Sequence, residues 1–358
     1  MKTNYDITVF QGDGIGPEIM GPTTALLSEL AQAGGYDLRF TDAPAGAAHY
    51  RDTGESLPQA SMDAARAADA ILLSAMGLPD VRYADGTEIS PQIDLRKALT
   101  LFAGVRPVTI RPGQPTPLAT DKPVDFVLIR ESTEGLFYTQ GRGEVEADEA
   151  RETLRITRAI SEPLFKFAFD LAKARKASGR GPGKVTCVDK ANVFRAFAFF
   201  REMFDAEAAK HPEISAEHAY VDATALWMVE RPWSFDVMVT ENMFGDILSD
   251  LGAGLMGGLG LAPSADIGVD HAVFQPCHGS APDIAGQGIA NPMAMILSGA
   301  MMLEWLGGRH DVPAMQSDAT RLRDAVDQVV AEARVLTRDL GGTATTAEVI
   351  TAVKEALK

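Results

Sequence analysis

The sequence predicts an α/β protein with a large, mostly parallel sheet, and three observations lead to this prediction. Short apolar runs typical of strands alternate with amphipathic segments typical of helices. The length of 358 residues exceeds the size at which a single core usually stops growing, which favours two domains. The composition, with 46% hydrophobic and 23% charged residues, is that of an ordinary folded protein, so the whole chain is expected to fold.

Strand-like and helix-like segments alternate through most of the chain. The run ITVF precedes a helix near 17–33, and AILLSA precedes a helix near 90–102. Further strands are predicted at VDFVLI, KVTCV and FDVMVT, and the last two lead into helices at ANVFRAFAFFREMF and FGDILSDLGAGL. Because long crossovers separate these strands, most of them are expected to be parallel.

Two regions depart from this alternation. The polar stretch 140–153, which contains GRGEVEADEARET, predicts an exposed loop or arm, and one long helix is predicted over 154–175. The tail, 311–358, predicts two helices separated by the glycine pair at 341–342. No low-complexity linker interrupts the sequence, so the boundary between domains is expected at a strand crossing.

Charge and cysteine content bear on the class of protein. The net charge of −16 argues against a broad nucleic-acid-binding surface, although a local arginine cluster can still hold a small anion. The start, MKTNYDITVF, has no signal-peptide pattern and no long apolar run follows, so a cytoplasmic location without membrane association is expected. Cys187 and Cys277 follow no disulfide or zinc spacing and are expected to be small buried hydrophobic residues.

The stretch VFQGDGIGPEI, residues 9–19, has the outline of a strand, a glycine-rich turn and a helix. Its glycine spacing is not G-x-G-x-x-G, and no acidic residue suitably ends a second strand. The turn therefore does not predict a Rossmann dinucleotide site.

A pair of acids lies in ENMFGDILSD, where Asp246 and Asp250 are four residues apart and share one face of a helix. An isolated pair of this kind is usually a solvated face. Here the helix is otherwise apolar and follows a strand, and carboxylate oxygens suit Mg²⁺ or Mn²⁺. Asp222, after another strand-like stretch, could complete the set of ligands.

Three arginines, Arg96, Arg106 and Arg130, have apolar neighbours on predicted strands or helices. One such arginine is commonly a structural salt bridge, but three are better explained by an anionic substrate with carboxylates. Lys190 lies between a strand and a helix, where it is either a surface charge or a proton carrier near a metal.

A long loop precedes the helix in PCHGSAPDIAGQGIANPMAMILSGAMMLEW, residues 276–305. Its first half carries turn residues at nearly every position, and its backbone donors could wrap a nucleotide. Asp283 could accept a hydrogen bond from a ribose hydroxyl.

Together, the segments GDGIGPE, LRKAL with RPV, RESTEG, VDKANV, YVDATA, ENMFGDILSD and HGSAPDIAGQGIANP resemble the isocitrate/isopropylmalate dehydrogenase family. These β-decarboxylating dehydrogenases act on isopropylmalate, isocitrate, homoisocitrate, tartrate or D-malate. The resemblance runs in order from about residue 5 to 350. It implies a two-domain, non-Rossmann fold with the active-site cleft between the domains.

The resemblance also implies how the chain is divided. Residues 1–104 and 257–358 would form a cofactor-binding domain from both termini, and residues 105–256 would form the substrate, metal and dimerisation domain. A clasp arm near 138–185 would join two subunits. The implied assembly is a homodimer with shared active sites, in which Lys190 and Asp222 come from the neighbouring subunit.

The same resemblance assigns roles to individual residues. It implies that Arg96, Arg106 and Arg130 bind the substrate carboxylates and that Lys190 helps to remove the hydroxyl proton, while Asp222, Asp246 and Asp250 bind Mg²⁺ or Mn²⁺. It implies NAD rather than NADP, because a carboxylate at Asp283, followed by Ile284, would repel a 2′-phosphate. The implied cofactor contacts are Ile15, His278, Gly279, Ser280, Ala281, Asp283, Ile284 and Asn291.

The sequence departs from the family pattern at two places. Phe137 stands where relatives have the tyrosine that protonates the enolate, and either Tyr138 serves instead, or water does, or the chemistry is altered. Ser90 and Gln92 stand six and four residues before Arg96, where isopropylmalate enzymes have apolar residues. These polar groups predict a substrate with a polar C3 substituent or none.

We therefore expect NAD-dependent oxidative decarboxylation of a malate-type 2-hydroxy acid, similar to D-malate, tartrate or isocitrate. The alternative is 3-isopropylmalate dehydrogenase of leucine biosynthesis. Two further classes are a binding protein that has lost its activity and a decarboxylase or lyase without net redox change.

Overall fold

The computed structural model describes residues 2–111 and 113–358 and confirms the α/β architecture. Its strands, in chain order, are β1 (Asn4–Phe10), β2 (Asp37–Asp42), β3 (Ala70–Leu73), β4 (Ala103–Ile110), β5 (Val124–Glu131), β6 (Glu144–Val145), β7 (Ala150–Arg151), β8 (Lys184–Asp189), β9 (Ser215–Tyr220), β10 (Val237–Thr240), β11 (Pro263–Ile267) and β12 (Ala272–Pro276). The α-helices are α1 (Gly16–Gly34), α2 (Ala47–Thr53), α3 (Gln59–Ala67), α4 (Pro91–Ala98), α5 (Arg158–Ala177), α6 (Arg195–Ala208), α7 (Val221–Glu230), α8 (Asn242–Leu255), α9 (Met293–His310), α10 (Pro313–Glu332) and α11 (Thr346–Ala356). Short 3₁₀ turns lie at Leu136–Thr139, Pro232–Ser234, Leu259–Leu261 and Arg338–Leu340.

One 10-stranded sheet runs through the molecule in the order β2-β1-β3-β12-β11-β4-β5-β10-β8-β9. The strands at either end pair in parallel, whereas the central pairs β12–β11, β11–β4 and β4–β5 are antiparallel. Strands from the two chain termini lie at one end of the sheet, and strands from the middle of the chain lie at the other end. The division into two domains stays a prediction.

Both faces of the sheet are covered by helices. Strands β3 and β10 are buried along their whole length, which is typical of parallel strands between helical layers. The largest core cluster packs α1, α9 and α10 against one end of the sheet and α5 and α6 against the other. Helix α9 is buried nearly all round, which agrees with its apolar sequence.

The polar stretch 140–153 contains a small hairpin of β6 and β7, and its side chains are exposed. The predicted tail helices are present, but the first ends earlier than the glycine pair. Helix α10 ends at Glu332, because Ala333 has a φ of 52° and turns the chain. Cys187 is buried and Cys277 is partly buried, and both are free thiols.

Within residues 2–111 and 113–358, no helix has the length and apolar character needed to cross a membrane.

Candidate active site

A cleft of about 300 Å³ lies over one face of the central strands β12, β11, β4 and β5. Side chains two residues apart on a strand point to the same face of the sheet. Arg130 on β5 pairs with Gly104 on β4, and Arg106 lies two residues after Gly104 on β4. Both arginines therefore lie on the face that forms the floor of the cleft. The walls come from α4, α8, the turn after β3 and the loop after β12. The lining residues are Ala75, Met76, Gln92, Ile93, Arg96, Arg106, Arg130, Phe137, Asp246, Ser249, Asp250, Ser264, Gln275, Pro276, Cys277, His278 and Gly279.

The structure brings the three predicted arginines together in this cleft. Arg96 projects from α4, and Arg106 and Arg130 project from β4 and β5. Burial, together with the nearby charge of Arg96, lowers the pKa of Arg130 to about 10, although Asp246 partly offsets this. Crowded guanidinium groups with little water are a site for anionic groups, since an added carboxylate would relieve their repulsion.

A buried aspartate on β11 holds two of these arginines. Asp266 Oδ2 accepts a hydrogen bond from Arg96 Nε at 3.0 Å, and Oδ1 lies 3.5 Å from a terminal nitrogen of Arg106. Burial alone would raise the pKa of Asp266, but the charges of Arg96, Arg106 and Arg130 outweigh it and hold that pKa below its usual value. Asp266 was not among the residues predicted from the sequence. An acid inside the apolar segment PSADIG was the only signal that could have identified it.

Asp246 and Asp250 project from α8 into the same cleft. The helix begins where Glu241 accepts hydrogen bonds from the backbone N–H groups of Met243 at 3.1 Å and Phe244 at 3.3 Å. Asp246 also forms an ion pair with Arg130, whose Nε donates to Asn242 Oδ1 at 2.9 Å.

The acid pair fits a divalent cation. Burial, together with the charge of Asp246, raises the pKa of Asp250, so the two carboxylates repel each other as the structure stands. Their oxygen donors are those that Mg²⁺ and Mn²⁺ prefer. Among the described residues of one chain, however, no three His, Cys, Asp or Glu side chains are grouped closely enough to hold a metal.

Lys190 and Asp222 lie together, but neither lines the cleft of its own chain. Lys190 Nζ donates to Asp222 Oδ1 at 2.6 Å, and the Asp222 side chain is 68% exposed. This ion pair lowers the pKa of Asp222. Within one chain, therefore, the structure brings together only Asp246 and Asp250 of the three predicted metal ligands.

Phe137, not Tyr138, lines the cleft. The ring of Phe137 lies 5.2 Å from the guanidinium carbon of Arg130. The ring of Tyr138 is stacked on Arg155 at 3.6 Å and also contacts Arg142 at 4.8 Å. The structure thus does not bring the hydroxyl-bearing ring of Tyr138 to the arginines and acids with which it was expected to act.

The glycine-rich turn after β1 supports the loop that was expected to hold the cofactor. The N–H of Ile15 donates to the carbonyl of Ser280 at 2.8 Å. Gly14 has a φ of +57°, and a Cβ there would lie 1.9 Å from the same carbonyl oxygen, so only glycine permits this contact. Asp13 stabilises the turn because its carboxylate accepts hydrogen bonds from the N–H groups of Ala47 and Gly77, each at 2.8 Å.

The predicted cofactor residues lie along the segment that follows β12. His278 and Gly279 line the cleft, and burial lowers the pKa of His278, which favours its neutral form. Asp283 is exposed and Ile284 is partly buried. Asn291 ends the segment, where its Oδ1 accepts a hydrogen bond from the N–H of Met293 at 3.0 Å and starts α9. Ser280 and Ala281 lie between these groups, with Ala281 at a φ of 38°.

Glu18 is a second residue that the sequence reasoning missed. From the first turn of α1, its carboxylate accepts hydrogen bonds from the N–H of Gly286 at 3.1 Å, the N–H of Ala290 at 3.0 Å and the hydroxyl of Thr346 at 2.9 Å. Burial alone would raise the pKa of Glu18, but these donors outweigh it and lower that pKa. Glu18 therefore fixes the shape of the candidate cofactor loop.

Several curated relatives of this chain share 3-isopropylmalate in their names. The chain is 41% identical over 345 residues to 3-isopropylmalate/3-methylmalate dehydrogenase of Methanocaldococcus jannaschii, covering 96% of both chains. It is 40% identical over 351 residues to 3-isopropylmalate dehydrogenase of Lactococcus lactis, covering 97% of both chains. A further 3-isopropylmalate dehydrogenase, from Prochlorococcus marinus, is 40% identical over 338 residues.

These relatives contradict the expectation of a substrate with a polar C3 substituent or none, such as D-malate, tartrate or isocitrate. That expectation was wrong because it gave Ser90 a place in the cleft. The Ser90 hydroxyl instead donates to the carbonyl of Glu88 at 3.3 Å and accepts from Gln140 at 3.5 Å, and it does not line the cleft. Gln92 does line the cleft, but it stands beside the apolar side chains of Met76, Ile93 and Phe137.

The overall structure and the sequence agree on the family. The crystal structure of isocitrate dehydrogenase from Methylococcus capsulatus matches with a TM-score of 0.84 and 38% identity, covering 99% of both chains. The family model for isocitrate/isopropylmalate dehydrogenase matches residues 6–353. With this match spanning nearly the whole length, the chain belongs to the isocitrate/isopropylmalate dehydrogenase family.

Proposed function

We propose that the protein is a 3-isopropylmalate dehydrogenase that uses NAD and a divalent metal ion. The observation that carries the proposal is a single cleft in which three arginines and two aspartates face an apolar wall. Each part of this cleft matches one part of 3-isopropylmalate. The curated relatives carry the name of the same compound.

The substrate has two carboxylates and one alkyl group. Arg96, Arg106 and Arg130 supply the planar, permanently charged donors that bind carboxylates in pairs of hydrogen bonds. Met76 and Ile93 supply an apolar surface on which the isopropyl group would be removed from water. Discrimination against an unsubstituted malate then comes from this apolar contact, which is worth about 1–3 kcal/mol for each methylene-sized group.

The reaction removes two electrons and one carbon from the substrate. NAD, when bound, would accept the hydride from C2, and Mg²⁺ or Mn²⁺ held by Asp246 and Asp250 would polarise the oxygen at C2. The hydroxyl proton would pass to Lys190 of the neighbouring subunit, which must be in its neutral amine form to accept it, and loss of the hydride and the proton leaves a ketone. The bond to the C3 carboxylate would then break and release CO₂, and a proton from a donor other than Phe137 would complete C3.

Lys190 and Asp222 can act in this way only if a second copy of the chain supplies them. We propose a homodimer, for which the exposed apolar side chains of α7 and α8 provide a contact surface. Leu226 and Val229 on α7 are 54% and 49% exposed, and Ile247 on α8 is 62% exposed. Large apolar side chains left in water on adjacent helices are typical of a surface that is covered in an assembly. The hairpin of β6 and β7 lies within the proposed clasp arm near 138–185.

The proposed choice of NAD depends on Asp283. Its exposed carboxylate is available to accept hydrogen bonds from the hydroxyls of the adenosine ribose. The same charge would repel the 2′-phosphate of NADP.

The test is the rate of NADH formation by the purified protein with Mn²⁺ and, in turn, 3-isopropylmalate, D-malate, tartrate, isocitrate and homoisocitrate. We expect the highest kcat/KM with 3-isopropylmalate, and a much lower value when NADP replaces NAD. CO₂ release without NADH would indicate a lyase, and the absence of both products with every acid would indicate a binding protein. Either result would contradict the proposal.

A further inference from the structure

Asp266 is a fully buried carboxylate that the proposed chemistry does not use. It lies on β11, one of the strands below the cleft, and its side chain is 0% exposed. An isolated charge in such a place would be strongly destabilising, so it must be compensated by its neighbours. Asp266 contacts two of the candidate substrate-binding arginines, so it can fix the orientation of their guanidinium groups as well as offset their charge.

Four side chains fix the Asp266 carboxylate. Oδ2 accepts hydrogen bonds from Arg96 Nε at 3.0 Å and Gln275 Nε2 at 2.6 Å. Oδ1 accepts one from the Ser132 hydroxyl at 3.3 Å and lies 3.5 Å from a terminal nitrogen of Arg106. Its four partners come from four different elements or loops, so the carboxylate cannot rotate without losing one of them.

The contact with Arg96 engages the inner nitrogen of the guanidinium group. Among the described residues, Nε is the only Arg96 nitrogen that donates a hydrogen bond, so the two terminal nitrogens remain available. These two nitrogens form the edge of the guanidinium that binds a carboxylate with two parallel hydrogen bonds. Arg106 is fixed further, because its Nη1 donates to the backbone carbonyls of Val105 and Ala265, each at 3.3 Å.

Charge counting agrees with this geometry. Arg96, Arg106 and Arg130 place three positive charges in the cleft, and Asp266 compensates one of them. Two positive charges then remain for the two carboxylates of a malate-type substrate, while Asp246 and Asp250 match the charge of a divalent cation.

We propose that Asp266 is a positioning residue that holds the guanidinium groups of Arg96 and Arg106 in the orientation that receives the substrate carboxylates. This inference rests on the proposed function only in taking the substrate to be a dicarboxylate. Asp266 itself does not touch the substrate, because it does not line the cleft.

The test is Asp266→Asn, which keeps the shape of the side chain and removes its charge. The NH₂ group of an Asn must replace one of the two carboxylate oxygens. At the Oδ1 position it would face the terminal nitrogen of Arg106, and at the Oδ2 position it would face the donors on Arg96 and Gln275, so at least one of the two arginines loses its acceptor. We expect the KM for 3-isopropylmalate to rise about ten- to a hundredfold, as for the loss of a charge-assisted hydrogen bond. The KM for NAD and the kcat at saturating substrate should change less than about threefold.

A KM that falls or stays unchanged in Asp266→Asn would have a different explanation. If Asp266 only neutralised charge, its removal would make the cleft more positive and would lower the KM or leave it unchanged. Either outcome in a folded variant would overturn the inference.

Asp236→Asn is the matched control. Asp236 is also 0% exposed and also pairs with a buried arginine, with Arg175 Nε at 2.7 Å, but it lies away from the cleft. This variant should lower the Tm and leave both KM values unchanged. If Asp266→Asn does not fold, Ser132→Ala removes one donor to Asp266 and should raise the KM for 3-isopropylmalate about two- to fivefold with kcat unchanged. No rise in KM would overturn the inference.

The result can be separated from the proposed function. If the unmodified protein does not turn over 3-isopropylmalate, the proposed function is contradicted. The role of Asp266 in orienting the arginines is then tested by measuring the binding of a dicarboxylate. Calorimetry with D-malate as the probe then compares the unmodified protein with Asp266→Asn. Weaker binding by the variant supports the inference, whereas equal or tighter binding, or no binding by either protein, overturns it.

Discussion

Phe137 and Tyr138 are neighbours in the sequence, but only the Phe137 ring enters the cleft. Phe137 lies beside Arg130, while Tyr138 is stacked on Arg155. We expect Tyr138→Phe to change kcat less than about twofold, because its hydroxyl is not at the cleft and the stacking survives. Steady-state kinetics with 3-isopropylmalate measures this.

Phe137→Ala is the comparison for that prediction. It removes a ring that lines the cleft and should raise the KM, because the apolar wall loses contact area. A loss of tenfold or more in kcat for Tyr138→Phe would instead place the Tyr138 hydroxyl at the reacting atoms in the assembled enzyme.

Glu131, next to Arg130 at the end of β5, makes stability depend on pH. Burial raises the pKa of Glu131 from 4.5 to about 7, although hydrogen bonds from Thr133 and the N–H of Glu134 oppose the shift. The folded state therefore binds more protons than the unfolded state between these two values, and stability must fall as pH rises through this window. The full effect is about 3 kcal/mol, from 1.36 kcal/mol for each pKa unit.

The measurement is the free energy of unfolding in urea near pH 4.5 and near pH 7 for the unmodified protein and for Glu131→Gln. The variant cannot ionise, so it should lose less stability than the unmodified protein over this range. Glu230→Gln, at an exposed position, should behave like the unmodified protein. Identical pH dependence of Glu131→Gln and the unmodified protein would contradict the raised pKa.

The sequence predicts the position of a site residue where a short local pattern fixes its relation to its neighbours. The four-residue spacing of Asp246 and Asp250 places both in the cleft, because a helix fixes their relation. Asp266 meets Arg96 across 170 positions of sequence, and no local pattern records such a contact. Ser90 was misplaced because its hydroxyl donates to the carbonyl of Glu88, two residues before it, and accepts from Gln140, which is 50 positions away.

At the scale of elements, α1 and the candidate cofactor loop act together through Glu18. Its carboxylate accepts hydrogen bonds from the N–H groups of Gly286 and Ala290, and a neutral amide can replace only part of this. We expect Glu18→Gln to raise the KM for NAD about three- to tenfold and to leave the KM for 3-isopropylmalate nearly unchanged, as for the loss of one hydrogen bond of about 1 kcal/mol. Initial rates with NAD varied at saturating substrate measure this.

Glu29→Gln is the control on the same helix. Glu29 is exposed and pairs with Lys354 at the surface, so its loss should affect neither KM. An unchanged KM for NAD in Glu18→Gln would show that the 286–290 segment keeps its shape without the carboxylate, or that it does not bind the cofactor.

Elements with strong apolar patterns were predictable, and those without were not. The sequence identifies β3, β8 and β10 because buried strands are rich in apolar and β-branched residues. Strand β9 at the edge of the sheet reads SAEHAY, and most of its side chains are exposed, so its sequence lacks that pattern. Its place is set by pairing with β8, which is a tertiary contact.

At the scale of the whole molecule, the sheet order separates the groups that a complete site needs. The cleft lies over the central strands, whereas Lys190 and Asp222 follow β8 and β9 at one end of the sheet. The order of strands could not be read from the sequence, because the antiparallel centre depends on β11 returning to pair with β4. The proposed dimer would bring the separated groups together, and mixed dimers can test it.

Two inactive variants should restore activity to each other if the sites are shared. Lys190→Ala removes the proton carrier, and Asp246→Asn damages the cleft. In a mixed dimer, the intact cleft of the first variant meets the intact lysine of the second, while the other site carries both defects. With equal expression and random pairing, about half of the dimers are mixed and each has one working site, so about a quarter of the unmodified activity should return.

Mixing Arg96→Ala with Asp246→Asn is the matched control. Both substitutions damage the cleft of their own chain, so every site in every dimer carries a defect and no activity should return. Activity after co-expression of the first pair and none after the second would place Lys190 in the neighbouring site. If neither pair regained activity, while size measurements still showed mixed dimers, Lys190 would have to act within its own chain. In that case Lys190 would need to leave its ion pair with Asp222 and move into the cleft. A proton carrier must be within hydrogen-bond reach of the substrate hydroxyl, either directly or through one water molecule.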